Sequence, residues 1–264
     1  MKQLLILSVA LTALFTSCKK DDNHDTNKGG TFKGPEVQVH DGKAWTWIKL
    51  DKQGNPTQLA ITLSDAALNS VPVGTTGDGN HDHDNMDNNW VLKFHPKASV
   101  IPFNHVGMGW NPVGHEPEVI YGKPHFDFHF YLMTPEQVAA IPPYEVDSTK
   151  FKNWPAPDYF PATYINPGGG VPQMGAHWLD VTSSELNGQP FTQTFIYGSY
   201  DGKVTFYEPM ITLDFLKNNP NYERSIPQPS KVQQTGWYPT KLKVSKHDGL
   251  TEVIFDEFTY RVQS

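Results

Sequence analysis

The segment 125–131, His-Phe-Asp-Phe-His-Phe-Tyr, alternates ionisable and aromatic residues. Successive side chains of a β-strand point to opposite faces, so His125, Asp127 and His129 are predicted to share one face and three phenylalanines the other. Successive positions on that polar face are about 6.5 to 7 Å apart, a spacing at which two imidazoles are expected to share one metal ion. Imidazole and carboxylate ligands without thiolate suit zinc, ferrous iron, manganese or copper. The alternatives are a polar face of histidines hydrogen-bonded to Asp127 and Tyr131, and a metal-free acid/base site.

Three further residues have ligand chemistry in suggestive surroundings. His177 in segment 174–178 and Glu208 in segment 206–210 each lie among apolar neighbours, where an ionisable group usually needs a partner. The alternative for each is a hydrogen-bonded polar group of the core. A turn at 121–124 is expected to form a hairpin that brings His115 or Glu118 beside His129, and the alternative is a solvated loop. The predicted metal site consists of His125, His129, His177 and Glu208, with His115 and Asp127 as further ligands or as groups that orient them.

Other histidines and acids are weaker candidates. His105, in segment 103–108, is a weaker candidate for the site. The loop 77–89 is rich in Asp, Asn and His, but it lacks the glutamate and the central glycine of an EF-hand loop. It is predicted to be a polar insertion. Four histidines are predicted to be surface residues: His24, His40, His95 and His247.

The amino terminus has the pattern of a bacterial export signal. One charge, Lys2, precedes an apolar run at 4–15 and two small residues before Cys18, the only cysteine of the 264 residues. The apolar run is well short of the roughly 20 residues of a membrane-spanning helix. We therefore expect residues 1–17 to be a cleaved signal peptide. Cys18 resembles the lipid-modified cysteine of bacterial lipoproteins, and the Cys-Lys-Lys-Asp-Asp start resembles lipoproteins of the Bacteroidetes group. This resemblance implies a lipidated Cys18 and an outer-membrane lipoprotein facing the periplasm or the cell surface. Its predicted membrane contact is the lipid anchor.

The rest of the chain is predicted to form a flexible tether at 18–34 and one β-rich domain at 35–264. The tether is polar and contains too little apolar surface to compensate the entropy of ordering it. A formal net charge of −7 argues against nucleic-acid binding. The 22 prolines and 21 glycines indicate short strands and many loops.

Turn residues between β-prone segments predict three hairpins, and capping residues predict two short helices. The hairpins are 44–50 with 57–63, 191–199 with 203–208, and 238–244 with 250–262. The helices lie at 64–68 and 134–141. The predicted fold is mainly β, an antiparallel sandwich or barrel-like sheet with two or three short helices.

No motif in the sequence identifies a reaction. It contains no Gly-x-Ser-x-Gly elbow, phosphate-binding loop, dinucleotide glycine fingerprint or His-Glu-x-x-His helix. A ligand- or metal-binding module is favoured because no general base or nucleophile is independently identifiable. The alternatives are a metal-dependent enzyme acting on a small periplasmic molecule, and a structural oligomeric envelope protein without metal.

Several motifs together resemble a bacterial family of exported domains of unknown function, typified by a Thermus hypothetical protein under sigma-factor and anti-sigma control. They are Gly114-His115-Glu116-Pro117, Pro124-His125-Phe126-Asp127-Phe128-His129-Phe130-Tyr131, Met174-Gly175-Ala176-His177-Trp178, and Tyr197-Gly198-Ser199-Tyr200-Asp201-Gly202 through Glu208-Pro209-Met210. The resemblance covers most of 35–215 and implies an exported, mostly β domain that assembles as a homo-oligomer. It implies no activity and no catalytic residue. The acidic loop and the tail after Lys217 do not match the family.

Overall fold

A computed structural model describes residues 29–74 and 88–264. The predicted signal peptide, Cys18, most of the tether and nearly all of the acidic loop lie outside these ranges. No helix within them is long and apolar enough to cross a membrane.

The first of two sheets is antiparallel and has seven strands, in the order β1-β3-β4-β14-β13-β12, with β2 also paired to β3. Its strands are β1 (Gly30–Lys33), β2 (Val37–Val39), β3 (Gly42–Leu50), β4 (Pro56–Ser64), β12 (Asn221–Ser225), β13 (Gly236–His247) and β14 (Leu250–Arg261). The predicted hairpins β3–β4 and β13–β14 are confirmed. The first and last parts of the domain therefore build one sheet together.

The second sheet is also antiparallel and seven-stranded, in the order β5-β6-β7-β11-β10-β9-β8. Its strands are β5 (Asn89–Lys93), β6 (His105–Asn111), β7 (His125–Tyr131), β8 (Tyr164–Ile165), β9 (Ala176–Asp180), β10 (Gln193–Tyr200) and β11 (Lys203–Thr212). The predicted β10–β11 hairpin is confirmed, and Asp201 and Gly202 in its turn have φ of 48° and 76°. An Asp-Gly pair adopts these positive φ values readily, as a tight hairpin turn requires.

Five short α-helices connect the strands in the described part of the chain, against two or three expected. They are α1 (Asp65–Ser70), α2 (Glu118–Tyr121), α3 (Pro135–Ala139), α4 (Ser148–Lys152) and α5 (Leu213–Asn218). The two predicted helices correspond to α1, which Ser64 caps, and to α3, where Thr134 and Gln137 form a capping box. Helices as short as α2, α4 and α5 leave little periodic signal, because packing rather than propensity stabilises them.

The two sheets pack face to face without closing into a barrel, so the sandwich alternative is confirmed. The phenylalanines of β7 point into the core between them, and the ring centroid of Phe130 lies 4.1 Å from that of Phe255 on β14. Removing such a buried ring typically costs about 3 to 5 kcal/mol. This contact ties the two sheets together at the centre of the domain.

The second sheet is also covered on its other face. Tyr121 of α2, Val138 of α3 and Phe191 pack with Tyr131 and Phe206 into a smaller apolar cluster there. All seven residues of β7 are consequently buried. The polar row of β7, which consists of His125, Asp127 and His129, is therefore covered by other parts of the protein and shielded from solvent.

Candidate metal centre

The polar row of β7 faces away from the sandwich core, as the alternation of its sequence predicts. Phe126, Phe128 and Phe130 belong to the main core. His125, Asp127 and His129 lie on the other face and retain at most 6% of their accessible surface. Buried ionisable groups need partners, which the neighbouring strands and loops must supply.

Strand β11 brings Glu208 to this row. The register pairs Tyr207 with Phe130 and Met210 with Asp127, so Glu208 lies across from His129. An oxygen of Glu208, Oε1, is 3.3 Å from His129 Nε2. The predicted proximity of these two residues depends on this pairing of strands that lie far apart in the chain.

Strand β9 supplies His177 from two strands further along the sheet. His177 pairs with Gly198 of β10, and Gly198 pairs with Phe206 of β11. A Cβ on Gly198 would overlap the Phe206 ring, so the position requires glycine. The ring centroids of His177 and Phe206 are 5.3 Å apart, and His177 Nε2 lies 3.9 Å from Glu208 Oε2.

His115 reaches the row by a different route from the predicted hairpin. The chain forms α2 after His115, and the backbone N–H of His115 donates to the carbonyl of Tyr121, 3.3 Å away. This turn places His115 beside His125, with ring centroids 4.7 Å apart, and not beside His129 as expected. Glu118, the other residue considered for this place, is exposed on α2.

The six predicted site residues thus form two triads. The first triad is His115, His125 and Asp127, and the second triad is His129, His177 and Glu208. Within each triad the candidate ligand atoms all lie within 4.8 Å of one another. The single shared site that we expected does not match this division, because residues four apart on a strand are about 13 Å apart. His125 and His129 therefore belong to different triads.

Backbone carbonyls orient two rings of the first triad. Nδ1 of His125 lies 2.6 Å from the carbonyl oxygen of Lys123, and Nδ1 of His115 lies 2.8 Å from that of Glu116. A carbonyl only accepts hydrogen bonds, so each Nδ1 carries the proton and donates it. In the neutral ring Nε2 then presents a lone pair, and both Nε2 atoms face the Asp127 carboxylate.

The facing atoms of His125 and Asp127 form the clearest anomaly of the site. His125 Nε2 and Asp127 Oδ1 are 3.2 Å apart, both are buried, and neither has another hydrogen-bond partner. In the neutral tautomer two lone pairs face each other across this distance. A second proton on the imidazole or a metal ion between the two atoms resolves the conflict.

The two carboxylates of the site differ in charge state. Burial alone would raise the pKa of Asp127, but the positive charges that His125, His115 and His129 acquire on protonation, together with a hydrogen bond from His125, outweigh burial and lower it. Burial raises the pKa of Glu208 well above its usual range, and the negative charge of Asp127 raises it further. Without a metal, Asp127 is therefore ionised, whereas Glu208 favours its protonated form.

His177 is held in the neutral form. Burial lowers its pKa to about 3, and the positive charges that His129 and His115 acquire on protonation act in the same direction. Neutral imidazole is the form that binds metals. At neutral pH, His177 is already in its ligating state.

His105 lies on the same face but outside both triads. Its ring stacks on Tyr131 at 5.0 Å and 18°, and Tyr131 in turn stacks on His129 at 5.5 Å and 12°. Burial lowers the pKa of His105. The His105 ring therefore packs against Tyr131 beside the site.

Asn111 is a site residue that the sequence reasoning missed. Its Nδ2 donates to Asp127 Oδ2 at 2.7 Å and so orients the carboxylate of the first triad. Asn111 is the last residue of β6 and is paired with His125 of β7. The signal was present: in segment 105–111, Val106, Met108 and Trp110 alternate with His105, two glycines and Asn111, which predicts a strand with its own polar face.

The fold and site together define an antiparallel β-sandwich protein with two buried triads, each of two imidazoles and one carboxylate. Comparisons with family models, with curated proteins and with solved structures found no match.

Proposed function

We propose that this chain is an exported lipoprotein whose sandwich domain binds divalent transition-metal ions, one in each triad. The observation that carries the proposal is the buried approach of His125 Nε2 to Asp127 Oδ1, 3.2 Å apart, with no other hydrogen-bond partner for either atom. Unpaired buried polar atoms are costly, and a cation between the two would satisfy both.

The ligand chemistry limits which metals fit. Two imidazoles and one carboxylate are suited to zinc, ferrous iron, manganese or copper. Asn111 supports Asp127, and backbone carbonyls support His115 and His125, as groups behind metal ligands commonly do. The first triad therefore has both a ligand set and the contacts that orient it.

Metal-dependent catalysis on a small molecule is a second candidate function, favoured by the number of ligands. Three protein ligands leave a coordination position for water or substrate, which is the pattern of catalytic zinc sites. In each triad one imidazole side chain retains some exposure, 19% for His115 and 21% for His177. Binding is the primary proposal, because no residue beside the triads is identified as a nucleophile.

Metal analysis of the purified chain tests the binding proposal. After chelation and reloading with zinc, we expect two ions per chain, one per triad. His125→Ala should leave only the ion of the second triad, and His129→Ala only that of the first. His247→Ala, on the other sheet, is the matched control and should retain both. Equal substoichiometric metal in all four proteins would contradict metal binding and favour a metal-free structural role.

The lipid anchor is tested separately. A lipidated Cys18 should carry labelled palmitate into the protein and place it in the membrane fraction, because two acyl chains suffice for stable anchoring. Cys18→Ser should remove the label and release the domain or block its processing. A wild-type protein that takes up no label and fractionates as a soluble protein would overturn the lipoprotein part of the proposal.

A further inference from the structure

The two triads are neighbours on one sheet face. Asp127 of the first triad and His129 of the second occupy successive positions on that face of β7, about 6.5 to 7 Å apart. Ions bound in the two triads would therefore lie close enough to contact one small ligand.

Charge balance indicates the sign of that ligand. Each triad offers one carboxylate, Asp127 or Glu208, and otherwise imidazoles that bind metal in the neutral form. A divalent ion in each triad therefore leaves a net charge of +1 per triad in a largely buried place. Uncompensated charge is costly away from water. A small dianion would neutralise both sites at once.

The spacing indicates how the dianion binds. The Cα atoms of Asp127 and His129 are one two-residue strand repeat apart, which is longer than the about 3.5 to 4 Å between the ions of common two-metal sites. A ligand with two oxygens on a common central atom can contact ions in both triads at once. Oxyanions of the phosphate class have this geometry and carry two negative charges near neutral pH.

The exposure of the triads indicates where the ligand enters. His115 and His177 retain 19% and 21% side-chain exposure, whereas the other four ligand side chains retain at most 9%. One partly exposed imidazole thus belongs to each triad. Such limited exposure admits a small ion more readily than a polymer or a bulky molecule.

We propose that the two metal-loaded triads together bind one small phosphate-class dianion, which enters beside His115 and His177 and bridges the two metals. The proposal rests on the proposed metal binding. It assigns a ligand class to the site and a reason for the presence of two triads on one sheet face.

The test is the binding of inorganic phosphate to the full chain, measured by calorimetry with zinc and after chelation. We expect one phosphate per chain with zinc and none without it. His115→Gln and His177→Gln each remove a ligand from a different triad, and each should weaken phosphate binding at least about tenfold, because one of two charge-assisted contacts is lost. His247→Gln is the matched control and should bind like wild type.

A second arm separates free phosphate from a phosphate ester. Methyl phosphate retains the dianion but adds a group on one oxygen. Binding comparable to that of phosphate would assign the site to monoesters, and markedly weaker binding would assign it to the free ion. Either result supports the bridge when both His→Gln variants weaken binding.

A failure of the phosphate bridge and a failure of metal binding give different results. The bridge would be overturned, and metal binding left intact, by either of two results. One is two zinc ions per chain without phosphate binding. The other is phosphate binding that only one of the two variants weakens. Absence of zinc binding would overturn the metal proposal and the bridge together.

Discussion

The outer faces of the two sheets carry the same pair of residue types in opposite surroundings. On the first sheet, His247 Nε2 lies 3.1 Å from Glu252 Oε2, with side-chain exposures of 48% and 12%. On the second sheet, His129 Nε2 lies 3.3 Å from Glu208 Oε1, with exposures of 4% and 2%. The two distances are similar, but the His129–Glu208 pair is buried, whereas His247 is exposed to solvent.

In each pair the pKa of one member is raised, for a different reason. Glu252 raises the pKa of His247 by hydrogen bonding, so the exposed pair favours the imidazolium. In the buried pair the pKa of Glu208 rises, because burial disfavours its charge and Asp127 repels it. A histidine beside a carboxylate is therefore an ordinary surface ion pair where solvent reaches it, and a candidate metal-binding pair where solvent does not.

The largest expected difference between the two faces is the stabilisation by metal. With free zinc at about 1,000 times its dissociation constant, each occupied site should add about 4 kcal/mol to the free energy of unfolding. Glu208→Gln keeps the side-chain volume but removes the anionic ligand, so the gain from the second triad should disappear. Chemical denaturation in zinc and in chelator measures this zinc-dependent gain in the free energy of unfolding.

Glu252→Gln is the matched control on the first sheet and should retain the full zinc-dependent gain. A Glu208→Gln protein that is stabilised by zinc as strongly as wild type would show that the second triad does not bind metal.

A smaller effect is expected from the group that orients Asp127. Asn111→Ala removes the 2.7 Å hydrogen bond to Asp127 and should weaken zinc binding by the first triad about 10- to 100-fold. Chelator competition measures the affinity. Asn153→Ala removes a comparable bond to Asp201, 3.1 Å long and exposed, and should leave zinc binding unchanged. Equal affinities in all three proteins would contradict the orienting role of Asn111.

The exposed pair predicts a weak pH dependence of stability. The folded pKa of His247 is raised by Glu252, so the folded state holds this proton more tightly than the unfolded state. The contribution is fully present below the unfolded pKa of about 6.5 and is lost as pH rises through the folded pKa. Because the pair is partly solvated, it should amount to less than about 1 kcal/mol.

Histidine NMR titration together with denaturation of wild type and His247→Ala across this pH range measures that contribution. In the metal-free protein, His177 should remain neutral throughout the same titration. A His247 that titrates below the usual histidine pKa would contradict the assigned pairing.

The smallest effect is expected from the ion pairs on the first sheet. Lys243 Nζ lies 2.6 Å from Asp256 Oδ2 on its outer face. A double-mutant cycle with Lys243→Ala and Asp256→Asn should give a coupling of less than about 1 kcal/mol, which salt weakens further. A coupling as large as the zinc-dependent gain of the buried triads would contradict the contrast between the two faces.

The sequence alone determined much of the local structure. The alternation at 125–131 specified which side chains of β7 point to the core, because successive side chains of any strand face opposite ways. Asp201-Gly202 and Asp248-Gly249 specified hairpin turns through positive φ, and the capping residues specified α1 and α3. These features depend on residues adjacent in the chain.

Only the tertiary structure decided how the ligand-type residues combine. His115 joins His125 through the α2 turn, whereas His177 and Glu208 join His129 through the register of β9, β10 and β11. Residue type and spacing do not encode that register, because it depends on contacts between segments far apart in the chain. Burial is likewise tertiary: the cover over the second sheet raises the pKa of Glu208, whereas solvent keeps His247 and Glu252 an ordinary ion pair.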